Sequence, residues 1–541
     1  MNRHDLLAKL RTYPFDALII GGGIVGAGIA RDGAMRGLKV ALIEQQDFAS
    51  GASSKTSKLI HGGLRYLEHG RFRLVRESLR ERHVLRTIAP ALVHPRSILL
   101  PVYAGNARSA WQIRLGLSLY DLLAGRHNLR RHRMLSASRA LALEPGLRAE
   151  GLRAAGLFAD CQMDDARLCL ANILQAVSFG AVCCNYVRLR GFLKGSQRLC
   201  GGVGEDAFTG ETMEIQAQVV INATGPWSDR LRELSEADAA PRLAPTKGIH
   251  VILPHLMREA VFAEARRDRR MLFILPWGDA SIVGTTETPV TEPLETLRAT
   301  ANEVDYLLEE TNRIIPGRRL GAHDIIATYA GARPLLAFAG SSTQASREHR
   351  IEIDRWGLVS VLGGKYTTYR RIAQDAVDVV MRRLRWRGDR CLTDHVSLLD
   401  TIQPVVAERW QRMTRDLDPD LLARLLTRYG AGAFHVLSLI EQDRALAAQA
   451  CPHHEAILAE LLYAARHELA CTVTDVLARR THIAFSPCQG LDLLSPLTTM
   501  LQQHLPVPVP SLAHQVEAYH RFLAHSLAFR AGGATATPAR I

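Results

Sequence analysis

Residues 16–44 read DALIIGGGIVGAGIARDGAMRGLKVALIE, and this stretch decides the fold of the chain. Residues 16–20 predict a short buried strand, residues 24–36 a helix and residues 40–43 a second strand, which together make a β-α-β unit. Gly21, Gly23 and Gly26 fit the pattern G-x-G-x-x-G, and Glu44 follows 18 residues after Gly26 at the end of the second strand.

Three glycines and an acid at this spacing indicate a dinucleotide site. The first glycine makes the tight turn, the second lets backbone approach the pyrophosphate, and the third allows close helix packing. The helix N-terminus supplies positive dipole. Glu44 would accept hydrogen bonds from the adenosine ribose and repel a 2′-phosphate, which argues against NADP. The pattern alone does not choose between FAD and NAD.

Two later segments favour FAD. Residues 219–223 predict a strand that enters Thr224 and Gly225, and residues 357–362 predict another that leads into Gly363 and Gly364 at a helix N-terminus. A helix N-terminus near a flavin stabilises negative charge on its pyrimidine end. Three separated elements on one extended ligand suit FAD better than NAD.

Residues 57–68, SKLIHGGLRYLE, predict one wall of a site for a cofactor and an anionic substrate, and residues 53–58, SSKTSK, lead into it. A glycine pair lets backbone approach a ligand, and an arginine beside it can fork onto a phosphate or carboxylate. Polar side chains at the start of this segment could reach the FAD pyrophosphate or ribitol. These predicted cofactor contacts are Ser53, Ser54, Ser57 and Lys58.

The rest of the chain predicts an α/β protein of two domains. Residues 242–329 alternate in short apolar runs, which indicates an antiparallel sheet, and helical periodicity dominates after about residue 395. We expect an oxidoreductase domain over residues 1–390 and a C-terminal helical domain over residues 391–541. Within the first, the FAD-binding part is expected at about 15–85, 150–235 and 330–390, and the substrate part at about 86–149 and 236–329.

Composition narrows the class of partner. The excess of 67 Lys and Arg over 54 Asp and Glu gives a net charge of +13, which favours a phosphorylated substrate, an acidic lipid surface or nucleic acid. Nine irregularly spaced cysteines indicate reduced thiols, so we expect neither disulfides nor a metal site. The N-terminus lacks a signal-peptide pattern. The longest apolar run, residues 17–30, is too short to span a bilayer, so any membrane contact is expected to be peripheral.

The chain resembles the FAD-dependent glycerol-3-phosphate dehydrogenases of the aerobic, membrane-associated type. The resemblance implies an FAD-binding Rossmann-like domain of the glycine/D-amino-acid oxidase type. It also implies oxidation of sn-glycerol 3-phosphate to dihydroxyacetone phosphate by hydride transfer from C2 to the flavin. FAD is expected to be non-covalent, because no Cys or His in the FAD elements fits an attachment pattern. The segments that carry the resemblance are GGGIVGAGIARDGAMRGLKVALIE, SSKTSKLIHGGLRYLEHGRFRLVRE, DCQMDDARL, NATGPW, TKGIHVILP, ILPWGD, IVGTTE, YAGARPL and LGGKYTTYR.

The same resemblance implies roles for the substrate site. Arg65, Tyr66 and Lys365 would bind phosphate or substrate oxygens, with His250 as a further candidate. His61 is our first candidate for the base at the C2 hydroxyl, because a group near neutral pKa suits that task. The alternative, that this histidine only hydrogen-bonds backbone or flavin, stays open. Arg333 would orient and polarise the same oxygen.

The resemblance also implies that the electron acceptor is ubiquinone or another membrane quinone, at the cytoplasmic face of the inner membrane. Residues 111–133 form an apolar helix followed by arginines, which suits docking on an anionic membrane, although a core helix with a solvated basic end stays possible. We expect a homo-oligomer and no nucleic-acid partner. The alternatives are a glycerol-3-phosphate oxidase that releases hydrogen peroxide, an amino-acid or amine oxidase, and an FAD-dependent nucleic-acid-binding protein suggested only by the net charge.

Overall fold

The predicted β-α-β unit is present near the start of the chain. Helix α1 (Arg3–Thr12) precedes β1 (Phe15–Ile20), α2 (Ile24–Met35) and β2 (Val40–Ile43). The two strands are parallel, and every residue of both is buried, as expected where helices cover both faces of a sheet. The computed structural model describes residues 2–337, 348–399, 413–415, 417–504 and 511–532.

The elements that follow this unit, up to residue 399, are runs of one to five strands separated by helices. They are β3 (Leu59–Ile60), α3 (Phe72–Ile88), β4 (Val93–Tyr103), α4 (Ala110–Ala124), β5 (Arg133–Ser136), α5 (Ala137–Leu143), β6 (Leu152–Met163), α6 (Asp165–Ser178), β7 (Val182–Cys184), β8 (Val187–Lys194), β9 (Leu199–Asp206), β10 (Thr212–Asn222), α7 (Ser228–Ser235), β11 (Thr246–Pro254), β12 (Ala260–Glu264), β13 (Met271–Trp277), β14 (Ala280–Gly284), β15 (Thr288–Pro289), α8 (Ala301–Ile314), β16 (Ala327–Arg333), β17 (His349–Ile353), β18 (Val359–Gly363) and α9 (Tyr369–Leu384).

The first sheet brings the three predicted cofactor segments to one edge. Its strand order is β17-β18-β10-β1-β2-β7, with β8 and β9 as an antiparallel extension of β10. Ile20 pairs with Asn222, and Asn222 pairs with Ser360, in parallel ladders. The carboxyl ends of β1, β10 and β18 therefore lie side by side, where ligands of open α/β sheets bind.

The second sheet is larger than the sequence predicted. Ten strands take part, in the order β15-β11-β14-β13-β12-β4-β6-β3, with β16 on β11 and β5 on β6. The prediction assigned residues 150–235, and the chain from about 330, to the FAD-binding part. The structure instead places β6 and β16 in the second sheet, because β6 pairs along almost its whole length with β4 and β16 pairs with β11.

The C-terminal domain is mainly helical, as predicted, and also contains a hairpin. The predicted leucine stripe at residues 421–426 packs in one core cluster. Of the second predicted stripe, Val473, Val476 and Leu477 pack in another cluster, whereas Leu469 joins the core around β1 and β2. The CPHH sequence that follows Ala450 forms the hairpin turn. The elements are α10 (Pro419–Tyr429), α11 (Ala433–Gln442), β19 (Gln449–Cys451), β20 (His454–Ile457), α12 (Leu458–His467), α13 (Leu494–His504) and α14 (Leu512–Ser526).

Buried ion pairs join the C-terminal domain to the loop after β2. Arg480 donates to both oxygens of Asp47 at 2.7 and 2.8 Å, and Arg479 donates to the same carboxylate at 2.5 Å. These two arginines hold the pKa of Asp47 low, at about 2, although burial acts to raise it. Within the described ranges, no helix has the length and apolar character needed to cross a bilayer.

Candidate active site

A cavity of about 440 Å³ is lined by residues of both sheets. Most of the side chains predicted to bind cofactor or substrate lie on its wall. These are Gly21, Gly23, Glu44, Ser53, Ser57, His61, Tyr66, Thr224, Gly225, His250, Arg333, Gly363, Gly364 and Lys365. Four predicted residues do not line the cavity, namely Gly26, Ser54, Lys58 and Arg65.

The glycine turn at the start of α2 is packed too closely for larger residues. Gly21 has a φ of +112°, and a Cβ atom on it would lie 2.7 Å from the carbonyl oxygen of Ala223. A Cβ atom on Gly26 would lie 1.9 Å from the carbonyl oxygen of Gly21. Gly26 therefore packs against the glycine turn and not on the cavity wall, and its role in cofactor binding stays a prediction. Ser53 accepts a hydrogen bond at 2.9 Å from the Ile24 N–H and so stabilises the N-terminus of this helix.

Glu44 holds the two turns that flank it. Its carboxylate accepts hydrogen bonds from the N–H of Gly22 at 2.7 Å and of Gln46 at 2.9 Å. Burial raises the pKa of Glu44, and these backbone donors act in the opposite direction. The carboxylate therefore fixes the dinucleotide turn and faces the cavity at the same time.

The structure places Lys58 inside the protein framework rather than on the cavity. Its ammonium group forms a buried ion pair with Asp165 and donates to the carbonyl oxygen of Ser54 at 2.9 Å. Asp165 also accepts from the Thr56 hydroxyl at 2.7 Å. Lys58 and Ser54 thus shape the loop whose neighbours line the cavity. Lys55, which the sequence analysis passed over, lies on the wall instead, where burial lowers its pKa to about 8.

A buried polar network fixes the His61-Gly62-Gly63 segment. The N–H of Gly62 donates to the Tyr120 hydroxyl at 2.8 Å, and that hydroxyl contacts both oxygens of Asp160 at 2.9 Å. Arg82 donates to Asp160 at 2.6 Å. A Cβ atom on Gly62 would lie 2.3 Å from the Tyr120 oxygen. The glycine is therefore needed here for contact with this network, and its predicted approach to a ligand stays a prediction.

Strand register brings the two candidate histidines to one part of the cavity. His250 on β11 lies opposite Gly284 on β14, which lies opposite Phe273 on β13. His61 contacts the Phe273 ring edge-on, with centroids 6.4 Å apart. The backbone N–H of His61 also donates to the Thr367 hydroxyl at 3.2 Å, and this hydrogen bond connects the His61 segment to the loop after β18. Phe273 and Thr367 both line the cavity and were missed by the sequence analysis.

His250 is held as a neutral imidazole. Its Nε2 atom lies 2.8 Å from the Ser57 hydroxyl, and its ring stacks on Tyr329 with centroids 4.9 Å apart. Burial, with the positive charges of Arg333 and Lys58, lowers the pKa of His250 well below its usual value. The ring can therefore hydrogen-bond a substrate oxygen but holds a proton poorly.

Arg333 and Lys365 bring positive charge to the same cavity. Arg333 donates to the Thr285 hydroxyl at 2.8 Å and passes over Gly248, where a Cβ atom would lie 2.4 Å from its Nη2. The Lys365 ammonium lies over the Tyr66 ring, 5.0 Å from its centroid. Two cations, two imidazoles and a phenol that line one cavity can bind an oxyanion and move a proton.

Sequence comparison finds known proteins that are similar over nearly the whole chain. Residues 16–370 match the model of the FAD dependent oxidoreductase family, and residues 391–507 match the C-terminal domain of alpha-glycerophosphate oxidase. Glycerol-3-phosphate dehydrogenase of Synechocystis sp. is 35% identical over 537 residues, which cover 95% of this chain and 97% of that protein. The human mitochondrial glycerol-3-phosphate dehydrogenase is 33% identical, over 97% of this chain and 75% of its own length.

Solved structures extend the likeness to three dimensions. The glycerol-3-phosphate dehydrogenase from Bacillus halodurans complexed with FAD has a TM-score of 0.79 and 28% identity, with 97% of each chain covered. Glycine oxidase from Geobacillus kaustophilus has a TM-score of 0.54 at 23% identity and covers 72% of this chain, which shows a shared fold. The predicted α/β fold of the glycine oxidase type, with a C-terminal helical domain, is confirmed.

Proposed function

The chain belongs to the FAD-dependent oxidoreductase family and, within it, to the glycerol-3-phosphate dehydrogenases, and from that membership we propose that it oxidises sn-glycerol 3-phosphate to dihydroxyacetone phosphate. The observation that carries the proposal is that Arg333, Lys365, His61 and His250 all line the same cavity. A phosphorylated triol needs cations for its phosphate and a proton acceptor at its C2 hydroxyl.

FAD is the cofactor of this family, and the cavity fits it. The glycine turn at the N-terminus of α2 offers backbone N–H groups to a pyrophosphate. Gly225 has a φ of +57° and open space at its Cβ position, so backbone there leaves room for an extended ligand. Gly363 and Gly364, both with positive φ, line the cavity at the end of β18. When bound, FAD supplies the hydride acceptor for C2 of the substrate.

The side chains divide the remaining work between binding and proton transfer. Lys365 and Tyr66 are proposed to bind the phosphate, since the ammonium group lies over the phenol ring. The role predicted for Arg65 at that phosphate stays a prediction. Arg333 is proposed to hold the C2 oxygen and stabilise negative charge on it. His61 is proposed to accept the proton, because the lowered pKa of His250 suits that residue to orientation rather than to proton storage.

The proposed electron acceptor is a membrane quinone, reached from a peripheral site on an anionic bilayer. Trp111, Leu115 and Leu122 of α4 are 67%, 61% and 75% exposed. At 100° per residue they fall on one narrow stripe of the helix. Arg126 follows directly after this helix, and the chain continues to further arginines. An exposed apolar stripe beside a basic cluster suits the interface of an anionic membrane.

Anaerobic mixing with substrate tests the proposed reaction. The yellow FAD-loaded protein should bleach rapidly with sn-glycerol 3-phosphate and stay oxidised with glycerol or glycine. No bleaching with the phosphate would contradict the proposal. Reoxidation then separates the acceptors: a ubiquinone analogue should restore the yellow colour faster than oxygen, whereas faster oxygen consumption with peroxide release would favour the glycerol-3-phosphate oxidase alternative.

Flotation with liposomes tests the membrane proposal. The wild-type protein should float with anionic vesicles, and the Trp111→Ser and Leu122→Ser variants should float less. Leu143→Ser is the matched control, since that leucine is also exposed but lies outside the α4 stripe. Equal flotation of all variants would remove α4 from the docking surface. We propose that the protein lies at the cytoplasmic face of the inner membrane. We also propose that it is a homo-oligomer, whose size analytical ultracentrifugation in detergent would measure.

A further inference from the structure

We propose that Cys451 and Cys488 form a reversible disulfide in the C-terminal domain, by exchange with a low-molecular-weight disulfide. Both are free thiols, and their sulfur atoms lie 2.6 Å apart although the residues are 37 positions apart in the chain. That separation is well inside ordinary nonbonded contact, which begins at about 3.5 Å even for carbon atoms. A disulfide bond of about 2.0 Å is therefore reached by a small movement.

The surroundings set the order in which the two thiols react. Cys451 ends β19 and is fully buried, whereas Cys488 lies in a turn before α13 and is partly exposed. The Gly490 N–H points to the Cys488 sulfur at 3.4 Å, and the Ser486 hydroxyl lies 3.3 Å from it. Burial raises the pKa of Cys451 to about 12. The exposed Cys488 is thus the thiol that meets the oxidant, and Cys451 completes the bond.

The sulfur separation favours a disulfide over a metal site. The Asp492 carboxylate lies close enough to the pair to make a three-ligand group, with ligand atoms within 4.8 Å of one another. Two thiolates on one tetrahedral zinc, each at about 2.3 Å from the metal, are about 3.8 Å apart, and a structural zinc site has four protein ligands. The observed 2.6 Å is too short for that arrangement.

The thiol–disulfide exchange needs no oxidant other than the small disulfide. The Cys488 thiolate attacks one sulfur of the small disulfide, and the other sulfur leaves with the bonding pair and takes up a proton. Cys451 then gives up its proton and attacks the Cys488 sulfur, which releases the second small thiol. Two protein thiols lose two electrons, and one small disulfide becomes two thiols.

The bond would lock the turn through which the C-terminal domain contacts the oxidoreductase domain. Gln489, next to Cys488, donates to the carbonyl oxygen of Ile326 at 2.8 Å. Phe485, three residues before Cys488, contacts Trp277 with ring centroids 5.9 Å apart. Tying this turn to the β19-β20 hairpin closes a loop of nearly forty residues, which is expected to raise the unfolding temperature of the domain by about 10 °C.

The experiment equilibrates the full-length, FAD-loaded protein with mixtures of reduced and oxidised glutathione, followed by alkylation and non-reducing peptide mass spectrometry. We expect a linked pair of peptides that contain Cys451 and Cys488, reversal by dithiothreitol, and the thermal shift in the linked form. Cys200 is the matched control, because it is exposed and should form only a mixed disulfide with glutathione. The Cys488→Ser variant should keep its turnover and lose both the link and the shift.

Two results would overturn the proposal. The first is that Cys451 and Cys488 of the wild-type protein both stay reduced in the most oxidising glutathione mixture, although Cys200 reacts there. This result does not depend on the folding of any variant. The second is one zinc ion bound per chain and lost in Cys488→Ser, which would make the cluster a metal site instead.

Discussion

Asp160→Asn is expected to destabilise the protein more than any exposed ion-pair change and to impair the active site with it. Arg82 and Asp160 are 0% and 4% exposed, with nitrogen and oxygen 2.6 Å apart. The same carboxylate lies 2.9 Å from the Tyr120 hydroxyl and 3.3 Å from the Gly62 N–H. Asparagine keeps the size of the side chain but leaves the Arg82 charge buried without its partner.

The magnitude follows from that stranded charge. Removing one member of a buried ion pair costs about 3–5 kcal/mol. At about 2.1 cal/mol/K of unfolding entropy per residue, each kcal/mol lowers the unfolding temperature of a domain of about 390 residues by about 1.2 °C, so we expect a fall of about 4–6 °C. The double variant Asp160→Asn with Arg82→Met removes the stranded charge and should recover more than half of the loss. In the single variant kcat/KM should also fall, because Gly62 loses its support beside His61.

Thermal unfolding of the FAD-loaded variants, followed by circular dichroism, measures the effect. Glu205→Gln is the matched control, since it removes an equally short pair with Arg190 on the surface and should leave the midpoint where it was. The reasoning is wrong if Asp160→Asn unfolds with the wild type. It is also wrong if the double variant is less stable than the single one.

Three other predictions concern the site and its support. Arg333→Ala should lower kcat by about 10²–10³-fold while FAD stays bound, as measured by turnover and by absorbance at 450 nm. Gly26→Ala should yield protein without flavin, because the added Cβ would lie 1.9 Å from the Gly21 oxygen, whereas Gly191→Ala, with open space, should keep its flavin. Acidification should lower the unfolding temperature, because burial lowers the pKa of His454 in the folded protein to about 4. As the pH falls from about 6.5 towards 4, this histidine takes up a proton in the unfolded chain but not in the folded protein, so the unfolded state is favoured. The His454→Gln variant should lose less of its unfolding temperature over the same pH range.

The dinucleotide half of the site could be predicted because its signals are local. The strand, glycine turn, helix and second strand were placed within one residue of the observed ends of β1, α2 and β2. The reason is that both strands are buried on each face and glycine marks the turn between them. The extent of the second sheet could not be predicted in this way, because the partners of β6 lie far from it in sequence.

The two lysines of the SSKTSK segment show why residue roles are harder to predict than folds. From sequence, Lys58 was assigned to the cofactor and Lys55 to nothing. The position of the Lys58 side chain depends on Asp165, which is 107 residues away in sequence. Because the Asp165 carboxylate pairs with its ammonium group, Lys58 does not line the cavity. A short pattern reveals which charges are present but not which of them a distant acid will neutralise, and burial makes such a pairing obligatory.

One signal that was available in the sequence went unused: glycine inside strands. A Cβ atom on Gly248 would lie 2.4 Å from the Arg333 guanidinium, and one on Gly284 would lie 2.3 Å from the His250 ring. Glycine weakens a strand, so its presence there marks a place where another group approaches closely. The strand segments KGIH and IVGT each lay a glycine under a side chain that the proposed reaction needs. The two strands thus make room for Arg333 and His250 by carrying glycine at these positions. Glycine in a strand does not by itself locate the site, because Gly156 and Gly202 lie similarly close to leucine side chains elsewhere in the two sheets.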